Sequence, residues 1–104
     1  MIKVSVFYPN TPSNRFDMDY YRANHMAMLK EKLSPACTHF SIDQGIAGGS
    51  PGAVATYVAI THLVFESMAS FQSTFGPHAK AISKDIPNYT DVVPVVQISQ
   101  MLAT

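Results

Sequence analysis

The sequence predicts an α+β domain with the element order β-α-β-β-α-β, and three observations predict it. Residues 2–8 alternate Ile2, Val4, Val6 and Tyr8 against Lys3, Ser5 and Phe7, the period of a strand. Residues 54–65 alternate two largely apolar faces: Tyr57, Ala59, Thr61, Leu63 and Phe65 on one, Val58, Ile60, His62 and Val64 on the other. A strand of that kind is buried on both sides. Two stretches carry apolar residues at helical spacing, one after the first strand and one after residue 66. Together these give the split βαβ, or ferredoxin-like, pattern: an antiparallel sheet with helices on one face.

Each element has a local reason. The first strand ends in Pro9-Asn10-Thr11-Pro12-Ser13-Asn14, a run of turn formers. In the helix that follows, Asp17 caps the free N–H groups and Asp19 suits the positive helix start. Phe16 and Tyr21 have the spacing of a hydrophobic staple. Met18, Tyr21, His25, Leu29 and Lys32/Leu33 trace one stripe, and Ser34-Pro35 stops the helix. Residues 36–47 read as a second strand with Phe40 and Ile42, and Gly48-Gly49-Ser50-Pro51-Gly52 as a loop. Residues 67–75 form a short helix with Met68, Phe71 and Phe75 on one face. Gly76 ends it and Pro77 can restart a turn. Residues 77–86 carry His78, Ala81, Ile82 and Ile86 at helical spacing until Pro87-Asn88-Tyr89 breaks the helix. A last strand runs roughly from Val92 to Met101, and Pro94 argues for an edge position or a bulge. No repeat or linker divides the chain, so residues 1–104 read as one domain.

Composition narrows the function classes. Apolar residues are 47% of the 104 and charged residues 13%, enough to build a core but few to cover a surface. The doubly apolar strand also needs a cover on the side away from the helices. Both points predict a homodimer. Net charge is zero with no Lys/Arg cluster, which argues against nucleic acid as a partner. No run approaches the roughly 20 apolar residues of a membrane span. The N-terminus lacks an apolar signal core, and the one cysteine, Cys37, cannot form an internal disulfide. A cytoplasmic location is the default expectation.

The strand IKVSVFYP, the helix FDMDYYRANHMAMLKEKL, the run LVFESMASFQSTFGPHAKAI and the end DIPNYTDVVPVVQIS together resemble the ethyl tert-butyl ether degradation (EthD) family of the dimeric α/β-barrel superfamily. The resemblance covers nearly the whole chain. It implies a ferredoxin-like subunit whose sheet packs face to face with a partner's, and a link to ether degradation. The family pattern has proline two residues after the helix histidine. Ala27 stands there in this chain, which predicts a less disturbed helix around His25. Relatives on this barrel include isomerases, cyclases, cofactor-free oxygenases and haem degraders, and a shared fold does not choose among them.

Two histidines lead the candidate residues. His25 lies on the inward helix stripe, where a buried imidazole can serve as acid or base if a partner orients one nitrogen. The family motif places its helix histidine here. His78 follows Gly76-Pro77 at a helix start, which disfavours the imidazolium and leaves a neutral base. Its setting is similar to a stretch of barrel polyketide cyclases in which a histidine on this helix is the base. His78 is therefore expected to be the base and His25 to orient the ligand. Tyr57, Tyr21 and Tyr8 are candidate ligand-binding residues, each able to donate a phenolic hydrogen bond. Tyr20 and Tyr21 are adjacent, so at most one faces inward. His62 lies opposite Tyr57 on its strand, toward the dimer interface. Cys37 and His39, two apart, share a strand face but are too few for a metal site. Met18, Met26 and Met28 read as adaptable core or pocket lining.

No phosphate loop, G-x-S-x-G elbow or H-E-x-x-H motif is present, and no carboxylate pair stands out. The expected function is a cofactor-independent enzyme, of isomerase, cyclase or oxygenase type, acting on a carbonyl-bearing or phenolic metabolite between sheet and helices. Two alternatives stand beside it. One is a non-catalytic protein that binds a pathway intermediate in the same pocket. The other is haem binding or degradation, against which stands the lack of any tryptophan for the Asn-Trp-His set of haem degraders on this barrel.

Overall fold

The computed structural model of the protein describes residues 1–12 and 14–103. Ser13, in the predicted turn run, and Thr104 lie outside the described residues. The first strand, β1, is Ile2–Pro9. A long helix, α1, covers residues 18–33 in three parts: Met18–Tyr20, a π-helical turn Tyr21–His25, and Met26–Leu33. The strands β2 and β3 are Cys37–Gln44 and Tyr57–Phe65. The helix α2, Met68–Phe75, passes through a 3-10 turn, Gly76–His78, into α3, Ala79–Asp85. A second 3-10 turn, Ile86–Asn88, leads toward β4, Val95–Gln100.

The four strands form one sheet in the order β2-β3-β1-β4, with every neighbouring pair antiparallel. This is the ferredoxin-like α+β arrangement that the residue pattern predicts. β4 lies at an edge and begins at Val95 rather than Val92, so Pro94, expected inside the last strand, stands just before it and takes no part in the ladder. The caps are those expected. The Asp17 carboxylate accepts from the Tyr20 N–H at 3.0 Å, and the Phe16 and Tyr21 rings meet at 5.2 Å. The strand expected from residue 54 begins only at Tyr57. Residues 45–56 leave the sheet as a loop that presses on its start, where a Cβ at Gly45 would stand 2.2 Å from the Tyr57 carbonyl oxygen.

Register sorts the two sheet faces. Ile2, Val4, Val6 and Tyr8 pair with Phe65, Leu63, Thr61 and Ala59. These side chains join the core with Tyr21, Leu29, Leu33, Ile82 and Tyr89 from the helical side. Leu33 is wholly buried there, a contribution on the order of 1.5–3 kcal/mol. On the other face Lys3, Ser5 and Phe7 pair with Val64, His62 and Ile60. Cys37 and His39 do not share a face as their spacing suggests. A register shift between them leaves Cys37 opposite Phe65 on the helix side and His39 opposite Val64 on the other. Among the described residues no helix is long and apolar enough to cross a membrane.

Candidate functional site

A cavity of about 200 Å³ lies between the helix face of the sheet and the helical segments. Val6, Leu29, Leu63, Phe75, Ile82 and Ile86 are among its apolar walls. Its polar groups are His25, Tyr8, Tyr21, Tyr89, Thr61 and Ser83, and among the described residues no lysine or arginine lines it. A larger depression over Ala79–Lys84 is an open surface beside α3 rather than an enclosed site.

His25 stands at the end of the π-helical turn, closed by the Met26 N–H donating to the Tyr21 carbonyl. Such one-turn widenings concentrate at functional sites. The helix is thus disturbed around His25 even though Ala27 replaces the expected proline. No lost N–H accounts for the turn, which accompanies dense aromatic packing. The imidazole stacks on Tyr21 at 5.2 Å and 16° and meets Tyr89 at 4.7 Å. It is 3% exposed.

Its Nδ1 lies 2.8 Å from Asp85 Oδ2. The other carboxylate oxygen accepts from the Tyr20 hydroxyl at 2.7 Å and the Asn88 amide at 2.9 Å. Burial works against charge on Asp85, but the hydrogen bonds from Tyr20, Asn88 and His25 outweigh it and hold the carboxyl below its usual range. A carboxylate only accepts, so it fixes the imidazole proton on Nδ1 and leaves Nε2 a free acceptor. Burial lowers the His25 pKa, with Asp85 pulling the other way. The result is a neutral, oriented imidazole.

Beside it, four side-chain hydroxyls run together. Tyr89 and Tyr8 are 2.8 Å apart, Tyr8 donates to Tyr21 at 3.4 Å, and Tyr21 meets Thr61 at 2.5 Å. Burial pushes the Tyr8, Tyr21 and Tyr89 phenols far above their ordinary pKa, so all three stay protonated. Tyr89 is held by ties between the loop before α1 and the segment after α3. The Asp17 N–H donates to the Tyr89 carbonyl at 2.7 Å, and the Arg15 guanidinium to the Pro87 carbonyl at 2.8 Å.

The structure brings His25, Tyr8 and Tyr21 of the predicted residues into one cavity and leaves two outside it. His78 is half-buried in the 3-10 turn and does not line the cavity, though Phe75 and Ile82 on either side do. Gly76-Pro77 breaks the helix, and the backbone at His78, φ −108° and ψ −1°, departs from the stripe its spacing implies. Tyr57 lies on the far face of the sheet, its ring 5.0 Å from Phe7. The register shift between Tyr8 and Pro9 breaks the strict alternation that pointed it inward. Among the described residues no methionine lines the cavity; the apolar walls are aliphatic side chains and Phe75, with the tyrosines beside them. Tyr20 and Tyr21 both serve the site, Tyr21 from inside and Tyr20 through Asp85.

Sequence reasoning missed Thr61, Asp85 and Tyr89 as site residues. Asp85 had a signal: it follows Ile82 by three, an acid on an apolar helix stripe, and such a group needs a partner. Tyr89 sits in a helix-breaking segment with no periodicity to read.

An antiparallel sheet with helices on one face and a polar-ended cavity between them defines a ferredoxin-like α+β domain built around a small-molecule-sized cavity. Residues 12–92 match the EthD domain model, and the chain belongs to that family. It is 40% identical to an EthD-like protein of Ralstonia eutropha over 98% of this chain and 92% of that one, with a TM-score of 0.93. An EthD family protein of Bacillus halodurans shares 19% identity over 98% of this chain and 99% of that one, with a TM-score of 0.73. A Dabb family protein with a ferredoxin-like fold from Mesorhizobium loti shares 17% identity over 98% and 97%, with a TM-score of 0.58. No curated protein matches the sequence.

Proposed function

We propose that the protein is a cofactor-independent enzyme that moves a proton on a small, mostly apolar, carbonyl-bearing or phenolic molecule. The observation that carries this reading is the His25–Asp85 pair: a buried imidazole whose proton is fixed on one nitrogen while the other is free in a cavity. His25 is the base, a role the sequence had favoured for His78. The facing hydroxyls hold the ligand oxygen as charge develops on it. At about 200 Å³ the cavity suits a ligand smaller than drug-sized. The lack of a cation in its wall disfavours phosphates and other strong anions. An ether oxygen would be accepted by the same donors, which is as far as the family's link to ether degradation extends here.

The test is deuterium exchange at the α-carbon of a panel of small aryl ketones, phenylacetone first, followed by NMR in heavy water. The expected result is exchange above the buffer rate that His25→Gln lowers by roughly 10²–10⁴. Exchange at the buffer rate throughout the panel overturns the enzyme reading and leaves a binding protein using the same cavity.

The reading includes a homodimer. Among the described residues no helix lies over the face carrying Phe7, Tyr57, Ile60 and Val64, and Val95, which pairs with Phe7 on that face, is more than half exposed. A second copy covering this face would bury on the order of 2,000 Å² or more. Light scattering at micromolar concentration should report twice the chain mass, and a monomer would refute it.

A further inference from the structure

The four hydroxyls of the cavity carry four protons and make three contacts with one another, so one proton is left over. Its place follows from the one contact whose direction the geometry gives and from the acidities of the hydroxyls. Tyr8 is the donor in its contact with Tyr21, so its single proton is spent there and Tyr89 must donate to Tyr8. In the contact between Tyr21 and Thr61 the geometry admits either donor; the phenol is the stronger acid and the aliphatic hydroxyl the better acceptor, which favours Tyr21 as the donor. Thr61 then keeps a proton for which the described residues offer no acceptor. Its side chain is wholly buried, yet it lines the cavity.

We infer that these groups form a one-way donor chain, Tyr89 to Tyr8 to Tyr21 to Thr61, and that the Thr61 hydroxyl is the group that binds a carbonyl oxygen of the ligand. The inference rests on the reading of the cavity as a ligand site and names the residue that recognises the oxygen. Each donor in the chain polarises the next, which strengthens the terminal bond. A single neutral donor suits an uncharged carbonyl and serves a carboxylate or phosphate poorly, because an anion needs several donors or a cation. A ligand seated this way has its carbonyl on β3 and its neighbouring carbon toward α1, where Nε2 of His25 is free.

Two probes of the same shape separate the oxygen from the rest of the molecule: acetophenone, and α-methylstyrene, in which a methylene replaces the carbonyl oxygen. Calorimetric titration of the parent should show acetophenone binding roughly threefold to tenfold tighter, the worth of one neutral hydrogen bond. The infrared carbonyl stretch of carbon-13-labelled acetophenone should move to lower frequency on binding. Thr61→Val should remove both the preference and the shift, and Thr61→Ser should keep both. If Thr61→Val does not fold, Thr61→Ala takes its place with the same expectation. A shift that survives loss of the Thr61 hydroxyl overturns the assignment, as does an unshifted carbonyl in the parent or a failure of acetophenone to bind. α-Proton exchange is read separately. An unshifted carbonyl in a protein that still exchanges ketone protons ends the donor chain alone, and a shifted carbonyl without exchange ends the enzyme reading alone.

Discussion

Each face of the sheet carries a histidine beside an aspartate, and the two pairs differ in almost every physical respect. On the helix side His25 meets Asp85 at 2.8 Å, with side-chain exposures of 3% and 16%. On the open side His62 stands 3.9 Å from Asp43, which is 68% exposed, and its other nitrogen contacts the Ser5 hydroxyl at 2.9 Å. Serine, histidine and aspartate side by side look like a nucleophile set. Here the histidine–aspartate contact is long, its aspartate is exposed, and none of the three side chains lines the cavity on the helix side. Burial and enclosure, rather than residue identity, make one pair a candidate base and the other a surface contact.

The largest expected difference between the faces is in chemistry. His25→Gln should lower ketone proton exchange by roughly 10²–10⁴, the usual contribution of a positioned base. His62→Gln should leave it within about twofold, since a surface residue outside the cavity makes no general-base contribution. NMR exchange rates of the two variants decide it, and equal losses would erase the contrast.

Asp85 acts through His25 and so comes next. Asp85→Asn should cost up to about 10⁴ in exchange rate by releasing the imidazole tautomer, and should change the pH profile of exchange. Loss of its charge-assisted bonds should also cost about 1–3 kcal/mol of stability by denaturant titration. Asp43→Asn, exposed and at 3.9 Å, should change stability by less than about 0.5 kcal/mol.

Stability should also depend on pH in a face-specific way. Burial lowers the His25 pKa below its ordinary 6.5, so as pH falls the unfolded chain takes up a proton before the folded one. The His25 contribution is fully present above 6.5 and is lost as pH falls toward the folded value. Asp85, held below its ordinary 3.8, adds a second loss as pH falls below that value. Burial and then Lys3 lower His62 in the same direction, from a more exposed position. Thermal melts between pH 7.5 and 5 should therefore flatten more in His25→Gln than in His62→Gln. The reverse order would place the main acid-sensitive group on the open face.

The smallest expected effect is on hydroxyls. Tyr89→Phe removes the first donor of a buried chain and should cost about 1 kcal/mol. Ser5→Ala on the open face should cost about half that or less, because it removes one hydroxyl contact, to the partly exposed His62, and breaks no chain of donors. Chemical denaturation of both variants tests the difference.

Much of this protein was decided by local pattern alone. The alternation in β1 and β3, the Asp17 cap, the Phe16–Tyr21 staple and the breaks at Ser34-Pro35 and Gly76-Pro77 determine the order of elements and most of their ends. Each acts over a few residues, so each is visible in the chain. The inward stripe of α1 also determined that Tyr21 and His25 would be buried, and the alternation of β1 that Tyr8 would meet them. What only the tertiary structure decided are the partners. Asp85 reaches His25 across 60 positions, and Thr61, Tyr8 and Tyr89 converge from two strands and a segment after α3. Small backbone departures decided the rest. The shift between Tyr8 and Pro9 sent Tyr57 to the open face, the one between Cys37 and His39 parted that pair, and the 3-10 turn carried His78 out of the cavity. A strand or helix of fixed period predicts a face for every residue, and one added or tightened residue moves all that follow. Such irregularities are set by packing between distant elements, where no sequence period records them.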